Sequence, residues 1–267
     1  MALDPLAGLR ALLDEPEGDW TLDRGLIEVA RVDRPELDDR SVLAALDTLA
    51  ASVPAGAPDE VDAVRRALFE VHRLRGNETD YYAPDNSHVD HVLERRQGLP
   101  ILLAALWIEV ARRAGHRAEG VGFPGHFLVR HWVDGAWTYL DAFRGGRVVS
   151  MDDLRTLLGG REVDPRMLDP VSSKAILLRI SFNLKHAYLL RKDLLGVIRA
   201  QDRILLLEPR MSTERRDRGL AYAQVGFAAA AIDDLEAYLA AEVVPDEERS
   251  ALETTLARLR ALPPGPH

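Results

Sequence analysis

The sequence predicts an α+β protein in which helices come first, a buried helix and a small antiparallel sheet follow, and helices then return. Three observations support this order. Apolar residues recur at helical spacing through residues 1–75, an almost wholly apolar stretch at 101–114 precedes three alternating runs, and a 34-residue repeat follows Pro170. We therefore divide the chain into a helical N-terminal region, a central α+β region, helical repeats and a tail, with the boundaries 1–76, 77–170, 171–262 and 263–267.

Apolar stripes predict a small bundle of helices in the first region. The residues of the first two stripes are Leu22, Leu26, Ile27 and Ala30, and then Val42, Leu43, Leu46, Leu49 and Ala50. Asp19 or Thr21 can cap the first of these helices. Asp39 or Ser41 can cap the second. A third helix is predicted at about 59–74, with buried positions at Val61, Val64, Leu68 and Val71.

The central region contains the most apolar helix of the chain. Residues 101–114 are apolar on nearly every face, which marks a helix buried inside a domain. Gly98-Leu99-Pro100 forms its start, because proline suits the first helical turn, where its missing N–H costs nothing. Asp134-Gly135 predicts a hairpin, and a short helix is expected at 151–158. The predicted strands are 118–123, 126–132 and 136–141.

Composition and charge exclude several classes of function. The chain has 267 residues, a formal charge of -9 and no cysteine. The acidic balance argues against a broad nucleic-acid or anionic-membrane surface, which needs basic residues. The longest stretch without charged residues, 219–232, is shorter than the ~20 residues of a membrane helix. We therefore expect a cytoplasmic protein that binds neither nucleic acid nor membrane and has no disulfide, no cysteine-ligated metal and no thiol nucleophile.

His126 and Asp141 are the strongest candidates for chemistry. A histidine at the start of one strand and an aspartate at the end of its hairpin partner can lie side by side, so the carboxylate can orient the imidazole. A nucleophile at the start of the adjacent buried helix would complete a three-part acyl-transfer site.

These positions resemble the transglutaminase-like superfamily. In that family the helix opens with Gly-x-Cys, an alanine follows the cysteine by four residues and a glycine follows it by fifteen. The residues at those offsets, and at the catalytic histidine and aspartate, are Gly98, Pro100, Ala104, Gly115, His126 and Asp141. The resemblance implies the papain-like core of this superfamily, with a proline at the nucleophile position.

The resemblance is closest to the bacterial invasion-regulator B group, which pairs this core with C-terminal tetratricopeptide repeats. Its recurring motifs appear as Gly76-Asn77, Asp80-Tyr81-Tyr82, Asn86, Val92-Leu93-Glu94-Arg95-Arg96 and Gly122-Phe123-Pro124-Gly125-His126-Phe127. In the last region Tyr188 and Tyr222 are separated by 34 positions, the length of a tetratricopeptide helix pair. A helix at 246–261 would cap this stack.

The usual activity of the family, glutamine–lysine crosslinking or amide hydrolysis, conflicts with Pro100. Proline has no nucleophilic atom, and removing the nucleophile of a triad costs about 10⁶-fold in turnover. Ser87, the nearest hydroxyl in the preceding loop, lacks the position at the helix start. We therefore predict no catalytic residue, treat Pro100, His126 and Asp141 as vestigial triad positions, and expect no cofactor. A candidate polar site comprises Asn86, Glu94, Arg96, His126 and Asp141.

One cluster of residues in the sequence is a candidate metal site. His88, Asp90 and His91 form a His-x-Asp-His cluster, but without a third well-spaced ligand group a polar loop or helix cap is the favoured interpretation. The sequence therefore predicts no metal.

Three functions remain open. The favoured one is a non-catalytic protein-interaction or regulatory module, a bacterial pseudoenzyme that binds a protein or peptide through its repeats. The alternative is a hydrolase or acyl-transfer enzyme in which His126 and Asp141 act as acid–base groups and water or substrate supplies the nucleophile. The third is a purely structural scaffold. The sequence leaves the oligomeric state open.

Overall fold

The computed structural model describes residues 4–16, 18 and 20–262. The chain folds into two compact units, Met1–Ile180 and Ser181–His267. The suggested Asp19 cap and the predicted tail at 263–267 lie outside the described residues. The predicted boundaries at 76 and 170 stay predictions.

Helices open the first unit, as the apolar stripes predict. Their bounds are Ala7–Leu13 (α1), Leu22–Arg31 (α2), Asp39–Ala51 (α3) and Glu60–Arg65 (α4), and α4 continues as a π-helical turn at Arg66–Val71. The stripe residues of α2 are buried, and so are Val42, Leu46 and Leu49 of α3. These side chains form the inner faces of the predicted bundle.

Two local details differ from the sequence-based expectation. The cap of α3 is Asp38 rather than Asp39 or Ser41, and its carboxylate accepts a hydrogen bond from the Arg40 amide. Val71, expected in the core, is 63% exposed. The wider π-turn at the end of the third helix changes the angle between successive side chains, so the helical stripe no longer faces inward there.

Short segments connect this bundle to the buried helix. Strand β1 (Arg75–Gly76) pairs in parallel with β2 (Gln97–Gly98). Between them lie a 3₁₀ turn at Pro84–Ser87 and helix α5 (Val89–Arg95). The buried helix, α6 (Pro100–Arg113), begins directly after β2.

Helix α6 packs on a four-stranded antiparallel sheet in the order β3-β4-β5-β6. The strands are Ala118–Val121 (β3), Leu128–Val133 (β4), Ala136–Asp141 (β5) and Arg147–Val148 (β6), and helix α7 (Met151–Leu157) follows. Asp134 and Gly135 both have positive φ and form the predicted two-residue hairpin turn. Strand β4 begins at Leu128 rather than His126, because a turn at Pro124-Gly125 precedes it.

The contact between α6 and the sheet includes a buried polar pair. Trp107 of α6 donates a hydrogen bond from Nε1 to Nδ1 of His131 on β4, at 3.1 Å, and both side chains are fully buried. The turn after β5 closes against the same tryptophan. Gly146 has a φ of 73°, and a Cβ atom there would lie 2.7 Å from the Trp107 ring. Only glycine fits this turn without displacing the ring.

Helices follow to the end of the described chain, as the 34-residue repeat predicts. Their bounds are Ser173–Leu190 (α8), Leu194–Leu207 (α9), Ser212–Val225 (α10), Ala228–Ala241 (α11) and Asp246–Arg260 (α12). Helix α10 packs on α9 and α11, and α11 packs on α12. Among the described residues, no helix is long and apolar enough to cross a membrane.

The close approach of α10 and α11 yields a first prediction, at Gly219. A Cβ atom on Gly219 would lie 2.9 Å from two atoms of Leu235, which is fully buried. Gly219→Ala is therefore expected to lower the free energy of unfolding of the second unit by about 1–3 kcal/mol, because the packed leucine must shift. Hydrogen exchange of the α10 and α11 amides measures this loss.

Thr213→Ala is the control, because Thr213 lies on the same helix and is exposed. Its effect should stay within about 0.5 kcal/mol. Equal amide protection in Gly219→Ala and the parent chain would contradict the predicted steric conflict.

Candidate functional site

Pro100 lies where the sequence places it, at the first position of α6. Leu99 is the N-cap residue, and its amide donates a hydrogen bond to the carbonyl of Asn86 at 3.1 Å. The carbonyl of Leu99 in turn accepts from the amides of Leu102 and Leu103. The start of the helix is thus held by the loop that precedes α5, and Pro100 offers no N–H and no nucleophile.

Asn86 organises that loop from the inside. Its Nδ2 donates to the carbonyls of Asp80 and Tyr81 at 2.7 and 3.0 Å, and its Oδ1 accepts from Asn77 Nδ2 at 3.0 Å. Asn77 Oδ1 accepts from the Asp80 amide. Asn77 and Asn86 are buried, so these bonds replace water and fix the loop. The amide of Asn86 is therefore occupied by its own loop.

His126 lies in the turn between β3 and β4. Its amide donates to the carbonyl of Phe123 at 2.9 Å, and its own carbonyl accepts from Arg179 Nη2 at 3.3 Å. The imidazole is half-buried. Within the described part of the chain, it makes no side-chain hydrogen bond, including none to Asp141.

Asp141 ends β5, and its carboxylate stabilises the turn that follows. Oδ1 accepts from the amides of Phe143 and Arg144 at 3.0 and 3.2 Å, and Arg144 Nε lies 3.7 Å from Oδ2. This carboxylate therefore orients backbone rather than an imidazole. With Arg147 and Asp153 it lines a cavity of about 220 Å³.

Glu94 and Arg96 lie away from that cavity. Glu94 is exposed on α5 and lines a different cavity, of about 400 Å³, together with Arg34 and Asp90. Arg96 ends α5 in the left-handed conformation, with a φ of 60°. Among the described residues, no hydrogen bond joins these candidate polar side chains to one another. Asn86 lies inside its loop, His126 in a turn, Asp141 and Glu94 on two different cavities, and Arg96 at a helix end.

Sequence reasoning missed a second histidine site, around His131. His116 Nδ1 lies 2.9 Å from Glu60 Oε2, and His131 Nε2 lies 3.9 Å from the same oxygen. Burial and then the charge of His116 lower the pKa of His131 to about 4. The only sequence signal was a histidine at an inward position of a strand, which reads equally well as core.

The family comparisons agree with the fold. A model of the transglutaminase-like superfamily matches residues 40–181, and a tetratricopeptide-repeat model matches residues 184–260. The chain belongs to the transglutaminase-like superfamily. The α+β fold class, the transglutaminase-like resemblance and the tetratricopeptide resemblance predicted from the sequence are therefore confirmed.

Curated relatives cover most of this transglutaminase-like chain. A UPF0162 protein of Xylella fastidiosa is 41% identical over 225 residues, which are 79% of this chain and 80% of that protein. The UPF0162 protein PA3419 of Pseudomonas aeruginosa is 30% identical over 256 residues, 92% of this chain and 93% of its own. F-box only protein 21 of Homo sapiens is 32% identical over 173 residues, 57% of this chain but 27% of its own. No solved structure matches the chain.

Neighbouring residues Asn86 and Ser87 provide a matched prediction about the loop. Both side chains are buried, but Asn86 makes three hydrogen bonds, whereas Ser87 Oγ has no partner among the described residues. Asn86→Ala should lower the free energy of unfolding by about 2–4 kcal/mol, from the loss of three buried hydrogen bonds. Ser87→Ala should leave it unchanged or raise it. Urea unfolding of both variants measures the difference, and equal losses would contradict the assignment.

The low pKa of His131 predicts a pH dependence of stability. An unfolded histidine has a pKa near 6.5, whereas in the folded chain the pKa of His131 is about 4. Between these values the unfolded state binds a proton that the folded state does not, so stability falls as the pH falls from 6.5 to 4. The full contribution is about 3 kcal/mol, at roughly 1.4 kcal/mol per pH unit.

His131→Gln tests this, because the glutamine keeps an acceptor for the Trp107 indole but does not titrate. Urea unfolding between pH 7 and pH 4 should give a flatter profile for the variant than for the parent chain. Parallel profiles would show that His131 contributes nothing to the loss of stability at acid pH.

Proposed function

We propose that this chain is a non-catalytic, transglutaminase-like protein of the invasion-regulator B group, a cytoplasmic interaction or regulatory module in bacteria. Its repeats bind a protein or peptide partner. One observation carries the proposal: Pro100 occupies the first position of α6, where the superfamily places its thiol, and the chain contains no cysteine. No side chain of this protein can supply the thiolate that the family's chemistry uses.

The surroundings of the other two triad positions support the same conclusion. A histidine acts efficiently as a general base when a carboxylate holds its ring in one tautomer and orientation. Here the Asp141 carboxylate is bonded to the amides of Phe143 and Arg144. The alternative enzyme, in which His126 activates water, would need a carboxylate that orients the imidazole, and no hydrogen bond among the described residues joins Asp141 to His126.

The repeat unit supplies apolar surface for a partner. Tetratricopeptide repeats generally mediate protein–protein interaction, and Leu195 and Phe227 are 49% and 52% exposed. Leu195 lies in the first turn of α9, and Phe227 is the N-cap residue of α11. These helices are the second members of their pairs, so both residues mark the same end of successive repeats. Exposed apolar anchors of this kind carry much of the energy of protein interfaces.

Leu195→Asp and Phe227→Asp test the repeat surface without weakening the helices. An acidic residue at a helix N-terminus is favourable, so both variants should remain folded. Each is expected to reduce partner affinity about tenfold or more, because a charge replaces an apolar anchor. Affinity capture from a bacterial lysate, followed by titration of the captured protein against each variant, measures the loss.

His126→Ala is the matched control in the other unit and should capture the same partner. The parent chain should release no ammonia from glutamine peptides and incorporate no amine. Unchanged capture by both aspartate variants would remove the repeat surface from the proposal. Turnover that disappears in His126→Ala would establish the alternative enzyme.

A further inference from the structure

His88 presents a buried nitrogen lone pair that has no hydrogen-bond partner within the described part of the chain. The residue is the N-cap of α5 and is 3% exposed. Its Nε2 lies 3.1 Å from Oδ2 of Asp33, whose side chain is also buried. Because a carboxylate only accepts hydrogen bonds, the ring proton must lie on Nε2, and Nδ1 is left with its lone pair. Among the described residues, no group hydrogen-bonds to this Nδ1.

Two further ligand atoms lie near the imidazole of His88. His91 Nδ1 is 3.0 Å from Asp85 Oδ1 but has no hydrogen-bond partner among the described residues, so the geometry does not place a proton on it. These two atoms and an imidazole nitrogen of His88 all lie within 4.8 Å of one another. Asp85 precedes His88 by three residues, in the 3₁₀ turn, and His91 follows it by three, on α5. His88 has an extended backbone and joins the 3₁₀ turn to α5, so one short stretch of chain carries all three residues.

We propose that Asp85, His88 and His91 form a binding site for one zinc-class divalent cation. Zinc binds histidine nitrogen at about 2.0–2.1 Å and carboxylate oxygen at about 2.0–2.2 Å in a tetrahedron, so neighbouring ligand atoms lie about 3.3 Å apart. Asp85 and His91 are partly exposed and can close on an ion, while buried His88 stays fixed. A water molecule completes the tetrahedron.

Asp33 and Arg95 complete the arrangement around this site. A metal-binding histidine characteristically donates its other ring N–H to a carboxylate, and His88 already does so to Asp33. Arg95 Nη1 lies 2.5 Å from Oδ2 of Asp85, which leaves Oδ1 directed toward His91. Asp90, which the sequence groups with the two histidines, instead pairs with Arg34 at 2.6 Å. The third ligand is therefore Asp85, and the site differs from the sequence-based prediction of no metal.

The other histidine cluster of this unit shows that proximity of ligand atoms is not enough to form a metal site. Ligand atoms of Glu60, His116 and His131 also lie within 4.8 Å of one another. The Trp107 indole, however, donates to His131 Nδ1, so the proton of the neutral ring lies on Nε2, the atom that faces Glu60. A protonated nitrogen cannot bind a cation. Both rings therefore carry their proton on Nε2. His88 keeps its Nδ1 lone pair for an ion, whereas the Nδ1 lone pair of His131 accepts from the Trp107 indole.

Titration of the full, chelator-treated chain with Zn²⁺ tests the site. Calorimetry should show one tight site per chain, and Zn²⁺ should raise the melting temperature, because an ion that binds only the folded state stabilises it. Asp85→Ala and His91→Ala, at partly exposed positions, should each weaken binding about 100-fold or more. The variant His116→Ala is the matched control and should bind as the parent does.

Asp33→Asn tests the orienting carboxylate and should weaken Zn²⁺ binding about 10–100-fold. With Co²⁺ in place of Zn²⁺, the parent should show the visible absorption of a tetrahedral ion, and His91→Ala should lose it. A parent chain without a tight site, or one whose affinity is unchanged in Asp85→Ala and His91→Ala, would overturn the proposal. A loss of binding in His116→Ala alone would assign the ion to the other cluster.

Discussion

The buried hydrogen bond from the Trp107 indole to His131 Nδ1 ties the central helix of the first unit to its sheet. Both groups are fully buried, and either left unpaired would cost about 1–3 kcal/mol. The bond therefore selects one rotation of α6 against β4. It also fixes the ring proton on Nε2 and, with burial, keeps His131 neutral. The Trp107 N–H thus determines both how α6 packs on β4 and which nitrogen of His131 carries the proton.

Periodic features of the sequence predicted most of the fold, because each arises within one segment. The stripe of α2, the apolar α6, the Asp134-Gly135 hairpin and the 34-residue repeat all depend on local spacing. The parallel pair of β1 with β2 was missed. Its two strands have two residues each, too few for a pattern, and the chain between them holds them in place through buried amides.

The sequence predicted which residues belong to the candidate site, but not where their side chains lie. The offsets from the superfamily placed Pro100 at the start of α6, and the structure has it there. Where the side chains of His126 and Asp141 lie depends on two turns, which a sequence pattern does not specify. Likewise Asp85 and Asp90 are both close to His91 in sequence. Only the folded 3₁₀ turn and the position of Arg34 decide which carboxylate faces the imidazole.

The loop before α5 contacts the start of α6, where Pro100 lies, and also carries one member of the histidine cluster. At the start of α6, the Leu99 amide is bonded to the Asn86 carbonyl of this loop. The same 3₁₀ turn carries Asp85 and leads into His88. The order of this loop therefore comes from its own amides and, with an ion bound, from Asp85, His88 and His91. This internal order agrees with the proposed binding role, which does not depend on a substrate to organise the loop.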